Sequence, residues 1–183
     1  MKEFSLVVIA QPTELENLWI SEFMRSPAFN CPLVVVGNHI WGENLNGWIT
    51  RKKNIGVELT STEYCLVCHA DTYPTEGFFE ALQDIEVEDD EVLCPKGVLP
   101  DGRTGLTWAQ TGHHDPSPVY IPGESYISGA AIFAKTHTFL LLPWNEQLEW
   151  GQGEDVDYSR MLEASGIIQR FEPRLIVNMR NTQ

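Results

Sequence analysis

The apolar residues of this chain fall in short continuous runs that are rich in β-branched side chains. The first three runs, over residues 4–10, 32–37 and 64–68, predict strands that are covered on both faces of a sheet. Between the first two, capping-box spacing at Thr13 and apolar residues at helical spacing predict a helix that ends near residue 26. This order of strand, helix and strand is typical of an α/β sheet.

The rest of the chain continues the mixture of strands and helices. We predict strands over 92–95 and 128–134, helices over 54–61, 75–85 and 138–142, and one or two edge strands over 167–171 and 175–178. Residues 39–53 show no regular pattern. Residues 101–124 are rich in proline, glycine and histidine, which predicts a long surface loop of the kind that often binds ligands.

Length and composition predict a single folded domain. The chain has 183 residues, of which 43% are hydrophobic, so we expect one domain that spans residues 1–183. No apolar run reaches the roughly 18 residues that a membrane-spanning helix needs, and residues 1–10 lack the pattern of a secretory signal. We therefore expect a cytoplasmic protein without a membrane span.

The charge of the chain bears on its partners. Twelve basic and 26 acidic residues give a net charge of -14, which disfavours binding to the phosphates of nucleic acid. One basic cluster, residues 51–53, is either a solvated turn or a segment near a phosphate. Cys65 and Cys68 lie within a predicted strand, where their side chains should point to opposite faces, so we expect buried, reduced thiols rather than a zinc or redox site.

A glycine-rich acidic loop near the C-terminus is the strongest chemical signal. Residues 150–157 bring two glycines and three carboxylates together, directly before an amphipathic helical stripe. Glycine can take left-handed backbone angles, so this loop can turn sharply. Glu154 and Asp155 fall in the first turn of the helix, where its dipole should keep a carboxylate ionised and able to accept a proton. The alternative is that acidic residues simply favour helix N-termini.

A second acidic position follows the third predicted strand. Ligands of open α/β sheets gather beyond the carboxyl ends of the strands, and Asp71 lies just beyond such an end. Asp71 is therefore a candidate ligand for Mn2+ or Mg2+, which commonly bridge one or two carboxylates to substrate phosphates. His69, two residues earlier, could add a ligand or only a hydrogen bond. A carboxylate here could also merely cap the next turn.

Together these segments resemble a known family. Residues 64–74 resemble the strand and Asp-x-Asp segment of GT-A fold glycosyltransferases, with His69 in the place of the first acidic residue. Residues 128–133 and 150–157 resemble the strand, loop and Glu-Asp helix that carry the acceptor site in inverting members. The order and spacing of the segments match over about residues 4–172. The resemblance implies an α/β, GT-A (Rossmann-like) single domain with a mainly parallel mixed sheet flanked by helices.

The same resemblance implies an activity and assigns roles to individual residues. The enzyme would be a metal-dependent inverting glycosyltransferase that moves a sugar from a nucleotide-sugar donor to a hydroxyl of a glycan or polysaccharide acceptor. Asp155 would be the general base and Glu154 would orient the acceptor. The assignments by site are the following: Asp71 and His69 for Mn2+ or Mg2+, Gln11, Asn38 and Asp71 for the donor, and Gly129, Trp144 and Trp150 for the acceptor.

Two other functions compete with this hypothesis. A noncatalytic sugar-nucleotide or glycan-binding module would follow if His69 abolishes metal binding. A nucleotidyltransferase would need a glycine-rich basic loop after the first strand, and residues 11–14 are neither glycine-rich nor basic.

Overall fold

The computed structural model of the protein describes residues 3–10, 31–104, 108–110, 121 and 123–179. Within these residues the strands are the following: β1 Phe4–Ile9, β2 Leu33–Val36, β3 His39–Ile40, β4 Glu43–Asn44, β5 Tyr64–His69, β6 Thr72–Pro74, β7 Glu91–Val98, β8 Trp108–Gln110, β9 Ser125–Ile127, β10 Ala131–Lys135 and β11 Ile168–Met179. The helices are α1 Ile49–Glu58, α2 Glu76–Gln83, α3 Thr136–Leu141 and α4 Glu154–Ala164.

Seven strands form one sheet in the order β2-β1-β5-β10-β7-β11-β6. Five of them run in the same direction, because β1 pairs in parallel with β2 and β5, and β7 pairs in parallel with β11, while β10 is antiparallel to both β5 and β7. The short β6 pairs antiparallel with β11. The sheet is therefore mixed and mainly parallel. Two further pairs, β3 with β4 and β8 with β9, lie outside it.

Each face of the sheet is covered by an apolar core. Leu66 and Phe133 belong to the core that also contains Phe78 of α2, whereas Val7 belongs to the opposite core together with residues of α1 and α4. At Gly56 of α1 a β-carbon would lie 2.3 Å from the Cγ1 atom of Val7, so the missing side chain lets this helix lie directly on β1. This close packing brings the first turns of α1 to the carboxyl end of β1.

The two strand cysteines behave as their spacing predicts. Cys65 lies in the core beneath α1 and α4, while Cys68 lies in the core beneath α2. Both thiols are free, and burial raises the pKa of each. Because the two side chains lie on opposite faces of the sheet, they cannot share a metal ion or form a disulfide with each other.

Most predicted elements are confirmed to within a few residues, but three predictions are wrong. The strand over 32–37, which was expected to be covered on both faces, is the edge strand β2, and its Val35 is 43% exposed. The helix expected over 54–61 is Ile49–Glu58, and it follows a hairpin, β3 to β4, in a segment that showed no pattern. The edge strands expected over 167–171 and 175–178 are one strand that lies inside the sheet, between β7 and β6. Its register shifts between Glu172 and Ile176, which accommodates Pro173, a residue that cannot donate a backbone hydrogen bond.

Some predictions fall on other parts of the chain. The helix expected to end near residue 26 lies outside the described residues, and so does most of the loop expected over 101–124. No helix in the described part of the chain has the length and apolar character needed to cross a membrane.

Candidate active site at the carboxyl edge of the sheet

Three parallel strands end together at one edge of the sheet. Beyond β1, the Ala10 amide donates to the carbonyl of Val36 at 2.9 Å, and the Ala70 amide donates to the carbonyl of Ile9 at 3.0 Å. The His69 amide donates to the carbonyl of Ala130 at 3.0 Å, which ties the start of β10 to the same edge. Polar side chains from four elements gather here, as expected for the ligand-binding edge of an open α/β sheet.

Asp155 is fixed at this edge by two partners from distant parts of the chain. Its Oδ2 atom accepts a hydrogen bond from the backbone amide of Gly129 at 2.9 Å, and its Oδ1 atom lies 3.3 Å from the Nζ atom of Lys53. The preceding Gly151 and Gly153 have φ angles of 78° and 81°, the left-handed values that the sharp turn was predicted to need. The side chain of Asp155 keeps 24% of its surface exposed, so a solute can still reach it.

The lack of a side chain at Gly129 leaves room for the ion pair between Asp155 and Lys53. A β-carbon at this position would lie 2.1 Å from the Oδ1 atom of Asp155 and 2.6 Å from the Nζ atom of Lys53. Any side chain would therefore displace the ion pair. Gly129 was predicted to bind the acceptor, and what the structure shows is a backbone that admits and holds the carboxylate.

Lys53 is a buried cation, which the polar character of residues 51–53 does not predict. Its side chain is 0% exposed, and its Nζ atom lies 5.5 Å from the ring centroid of Trp144. The neighbouring Lys52 is also buried and donates to the Ala10 carbonyl at 3.2 Å and to the Oδ1 atom of Asn38. The basic cluster is thus not a solvated turn, because both lysines point from α1 into the protein, while its alternative role near a phosphate stays a prediction.

His69 lies next to these charges at the end of β5 and is electrically neutral. Burial, together with the Lys53 and Lys52 ammonium groups and against the opposing charge of Asp155, lowers the pKa of His69 to about 4. Its Nε2 atom is buried and has no hydrogen-bond partner among the described residues. The predicted role of His69 as a metal ligand meets an obstacle, since two neighbouring ammonium groups disfavour a divalent cation.

Asp71 lies at the same edge but in different surroundings. It is half-buried in the turn between β5 and β6, where its Oδ1 atom accepts a hydrogen bond from the Thr72 hydroxyl at 3.3 Å. Burial raises the pKa of Asp71, and its charge acts on Cys68, which belongs to the core opposite α1. In the part of the chain that the structure describes, no three His, Cys, Asp or Glu side chains are grouped to hold a metal ion.

Glu154 supports the glycine loop from within. Its side chain is buried, and its Oε2 atom accepts a hydrogen bond from the Gly151 amide at 3.2 Å. Burial, followed by the charge of Asp155, raises the pKa of Glu154. At Glu154 desolvation thus opposes the helix dipole, which was expected to favour the ionised carboxylate.

The two tryptophans assigned to the acceptor have opposite environments. Trp144 is only 2% exposed and stacks on Tyr158, at a centroid distance of 4.2 Å, and on Phe139, at 5.3 Å. Trp144 therefore packs in the core and offers no exposed face to a sugar. Trp150 is 65% exposed and remains available to a ligand.

The predicted donor residues are only partly described. Asn38 follows β2 as predicted, but its Oδ1 atom accepts from Lys52 and its amide nitrogen donates to Asn46 at 3.4 Å, so its side chain is used within the protein. Gln11 lies outside the described residues.

The architecture is similar to that of solved glycosyltransferases. The crystal structure of GalNAc-T7 with UDP, GalNAc and Mn2+ matches 98% of this chain with a TM-score of 0.64 and 11% sequence identity. The crystal structure of S. aureus TarS matches 97% of this chain with a TM-score of 0.65 and 16% identity. This chain covers 44% and 36% of those two chains, which is less than half of either.

These likenesses show the fold of the protein. The chain has the GT-A fold, with a mainly parallel mixed sheet flanked by helices, and this prediction is confirmed. A scan of protein-family sequence models finds no match, and a search of curated protein sequences finds none either. The fold is thus recognised through three-dimensional structure.

The burial of His69 predicts a pH-dependent stability. Its pKa is about 4 in the folded protein and 6.5 in an unfolded chain, so the unfolded state binds the extra proton and stability falls as the pH drops below 6.5. Between pH 7.5 and pH 5 this difference amounts to about 2 kcal/mol. Urea unfolding at both pH values should therefore show that the free energy of unfolding falls less at pH 5 for His69→Gln than for the unchanged protein. An equal effect of His39→Gln, which alters an exposed histidine, would contradict this assignment.

The burial of Lys53 predicts an asymmetric response to mutation of the ion pair. Asp155→Ala leaves a fully buried ammonium group unpaired and should lower the free energy of unfolding by about 3 kcal/mol. Lys53→Met leaves a carboxylate that still contacts water, so we expect a smaller loss of about 1–2 kcal/mol. Denaturant titration measures both values, and Arg103→Met, in the exposed pair with Asp101, serves as the control with little change. Equal losses for the two variants of the buried pair would contradict the account.

Proposed function

We propose that this chain is a glycosyltransferase domain that moves a sugar from a nucleotide-sugar donor to a hydroxyl group of a glycan or polysaccharide acceptor, with inversion at the anomeric carbon. The observation that carries the proposal is the carboxylate of Asp155, held by Lys53 and by the Gly129 amide at the ligand-binding edge of the sheet. The fold supports the class of reaction, since GalNAc-T7 was crystallised with UDP, GalNAc and Mn2+.

Asp155 is the proposed general base. A carboxylate has about four acceptor positions, and the two described contacts of Asp155 leave room for an acceptor hydroxyl. The carboxylate removes the hydroxyl proton while the oxygen attacks the anomeric carbon, and the diphosphate departs from the opposite face. Because its partners fix it before the substrates arrive, Asp155 loses little freedom in the transition state.

Two neighbours of Asp155 act on its position rather than on the substrate. Glu154 holds the Gly151 amide and so shapes the loop that leads into α4. Lys53 balances the charge of the base from the buried side, which leaves the exposed side of the carboxylate for the acceptor. We therefore assign Glu154 a positioning role in place of direct contact with the acceptor.

Among the described residues of the candidate site, Asp71 best fits a divalent ion. It is partly accessible. The rise in its pKa caused by burial is opposed by the hydrogen bond from the Thr72 hydroxyl rather than by a cation. No lysine or arginine among the described residues forms an ion pair with it. Mn2+ or Mg2+ often uses one protein carboxylate together with waters and substrate phosphates. When bound, such an ion would neutralise the diphosphate of the donor. His69, beside two lysines, is left out of this ligand set.

A noncatalytic sugar-nucleotide or glycan-binding module is the second candidate. It is favoured by the two ammonium groups beside His69, which oppose the binding of a cation at the predicted metal ligand. The two functions differ in turnover, because a binding module would hold its ligand without consuming a donor.

Replacement of the base separates the two functions. Asp155→Asn keeps an oxygen that Lys53 can contact but removes the basic carboxylate, so we expect kcat to fall by about a hundredfold or more while donor affinity stays within about twofold. Release of nucleotide diphosphate in the presence of a glycan acceptor measures kcat. Asp157→Asn, an exposed carboxylate in the same helix, is the matched control and should retain activity. Near-normal turnover of Asp155→Asn would remove Asp155 as the base.

Replacement of Asp71 tests the metal assignment. Asp71→Ala should weaken the binding of a nucleotide diphosphate in the presence of Mn2+ by about tenfold or more, and should have little effect when EDTA is present. Calorimetric titration measures both affinities. Asp84→Ala, at an exposed position after α2, is the control. An Asp71→Ala protein that binds the nucleotide with the same metal enhancement as the unchanged protein would contradict the assignment.

A further inference from the structure

Trp41 stands in an unusual position at the tip of the β3–β4 hairpin. His39 pairs with Asn44 and Ile40 pairs with Glu43, so Trp41 and Gly42 form a two-residue loop. Their φ angles are 50° and 86°, both positive as in a type I′ turn. Among the described residues other than glycine, Trp41 alone has a positive φ. Asparagine, aspartate and glycine are preferred at this position, and a bulky side chain is strained there.

Little packing compensates for the backbone strain at Trp41. The side chain of Trp41 is 70% exposed, which makes it even more accessible than Trp150. A large apolar ring that is held in a strained conformation and left largely in water gains little from folding, which points to a role in binding. Exposed indole rings are typical of binding surfaces.

The segment that follows the hairpin of Trp41 is hydrogen-bonded to the loop that carries Trp150. The Trp150 amide donates to the carbonyl of Gly47 at 3.0 Å, which lies just after the hairpin. The Trp48 indole donates to the carbonyl of Glu146 at 2.7 Å, and the Thr50 hydroxyl donates to the carbonyl of Leu148 at 2.7 Å. The Leu45 amide donates to the carbonyl of Asn38 at 2.7 Å, which holds the base of the hairpin against the same segment. The hairpin is therefore tied through residues 45–50 to the loop over residues 144–153, and this loop leads directly into Asp155.

We propose that Trp41 and Trp150 form an aromatic platform that binds neutral sugar units of a glycan chain, outside the unit that reacts. The substrate class rests on the proposed function, because the platform adjoins the loop of the candidate base. The flat indole faces suit the apolar C–H faces of sugar rings. The exposed Glu43 and Glu149 lie in the same two loops, where their carboxylates can accept hydrogen bonds from sugar hydroxyls.

The negative charge of Glu43 and Glu149 favours neutral glycans over anionic ligands. Carboxylates near the two indoles repel phosphates and sulfates, so nucleotides, nucleic acids and anionic polysaccharides are disfavoured. Neutral glycans carry hydroxyl groups, which carboxylates bind without repulsion. Two separate rings also fit a chain of several sugars better than a single sugar, so affinity should rise with the length of the glycan until both rings are covered.

Trp41→Asn gives the sharpest test, because asparagine suits the turn. The variant should keep or raise Tm, by about 2–4 °C, since the strained residue is replaced by a preferred one. Its affinity for long neutral oligosaccharides should fall about tenfold, while its affinity for the shortest ones should stay unchanged. Trp150→Ala should show the same loss, and Leu141→Ala, another highly exposed apolar residue on α3, should show none. Binding is measured on an array of neutral oligosaccharides of graded length and then by calorimetry.

Several results would overturn the platform. These are a lower Tm for Trp41→Asn, unchanged glycan affinity of both tryptophan variants, failure of the unchanged protein to bind any neutral oligosaccharide, or a dimer that both variants dissociate. A loss of nucleotide diphosphate affinity in Trp41→Asn, with glycan binding intact, would overturn it as well. If no donor is consumed but both variants still lose glycan binding, the platform stands and the transferase proposal fails, so the two hypotheses are separable.

Discussion

The candidate site depends on one buried ion pair, between Lys53 of α1 and Asp155 at the start of α4. A lysine side chain with no exposed surface is stable only where a charge compensates it, and Asp155 provides that charge at 3.3 Å. The two residues are separated by 102 positions in the chain. Their contact therefore joins the helix beside β1 to the glycine loop and fixes both against the sheet.

The residues around this ion pair contact it directly, leave space for it, or change their protonation beside it. Gly129 supplies an amide donor and leaves the volume that a side chain would fill. His69 stays neutral because it is buried beside two ammonium groups, so it adds no further charge to the site. Trp144 covers the lysine from the core side. Together these contacts leave Asp155 accessible from the solvent side alone, where an acceptor would approach.

The fold could be predicted from the sequence because its strands are continuous apolar runs. The runs at β1 and β5 mark buried strands of a parallel sheet, and the glycines before Asp155 mark the turn that the structure contains. The run at β2 marks a strand, but its apolar residues do not reveal that it lies at the edge of the sheet. Lys52 and Lys53 could not be placed in the same way. Their burial depends on partners far away in the chain, and a pattern of polar residues predicts solvent exposure.

The failed predictions have the same physical origin. Trp144 and Trp150 lie six positions apart with similar local sequence signals, and only the tertiary packing of Phe139 and Tyr158 shows that one of them is core. The inner position of β11 was missed because Pro173 suggested an edge, whereas a shift in register accommodates it. Trp41 carried no signal until its backbone angle was known.

The central claim is that the fixed carboxylate of Asp155 serves inverting sugar transfer. The most direct test is an NMR time course of a panel of nucleotide sugars, each incubated with the protein, Mn2+ or Mg2+ and neutral glycan acceptors. The account predicts that one donor is consumed and that the new glycosidic bond has the anomeric configuration opposite to that of the donor. A product with retained configuration, or no consumption of any donor in the panel, would contradict it.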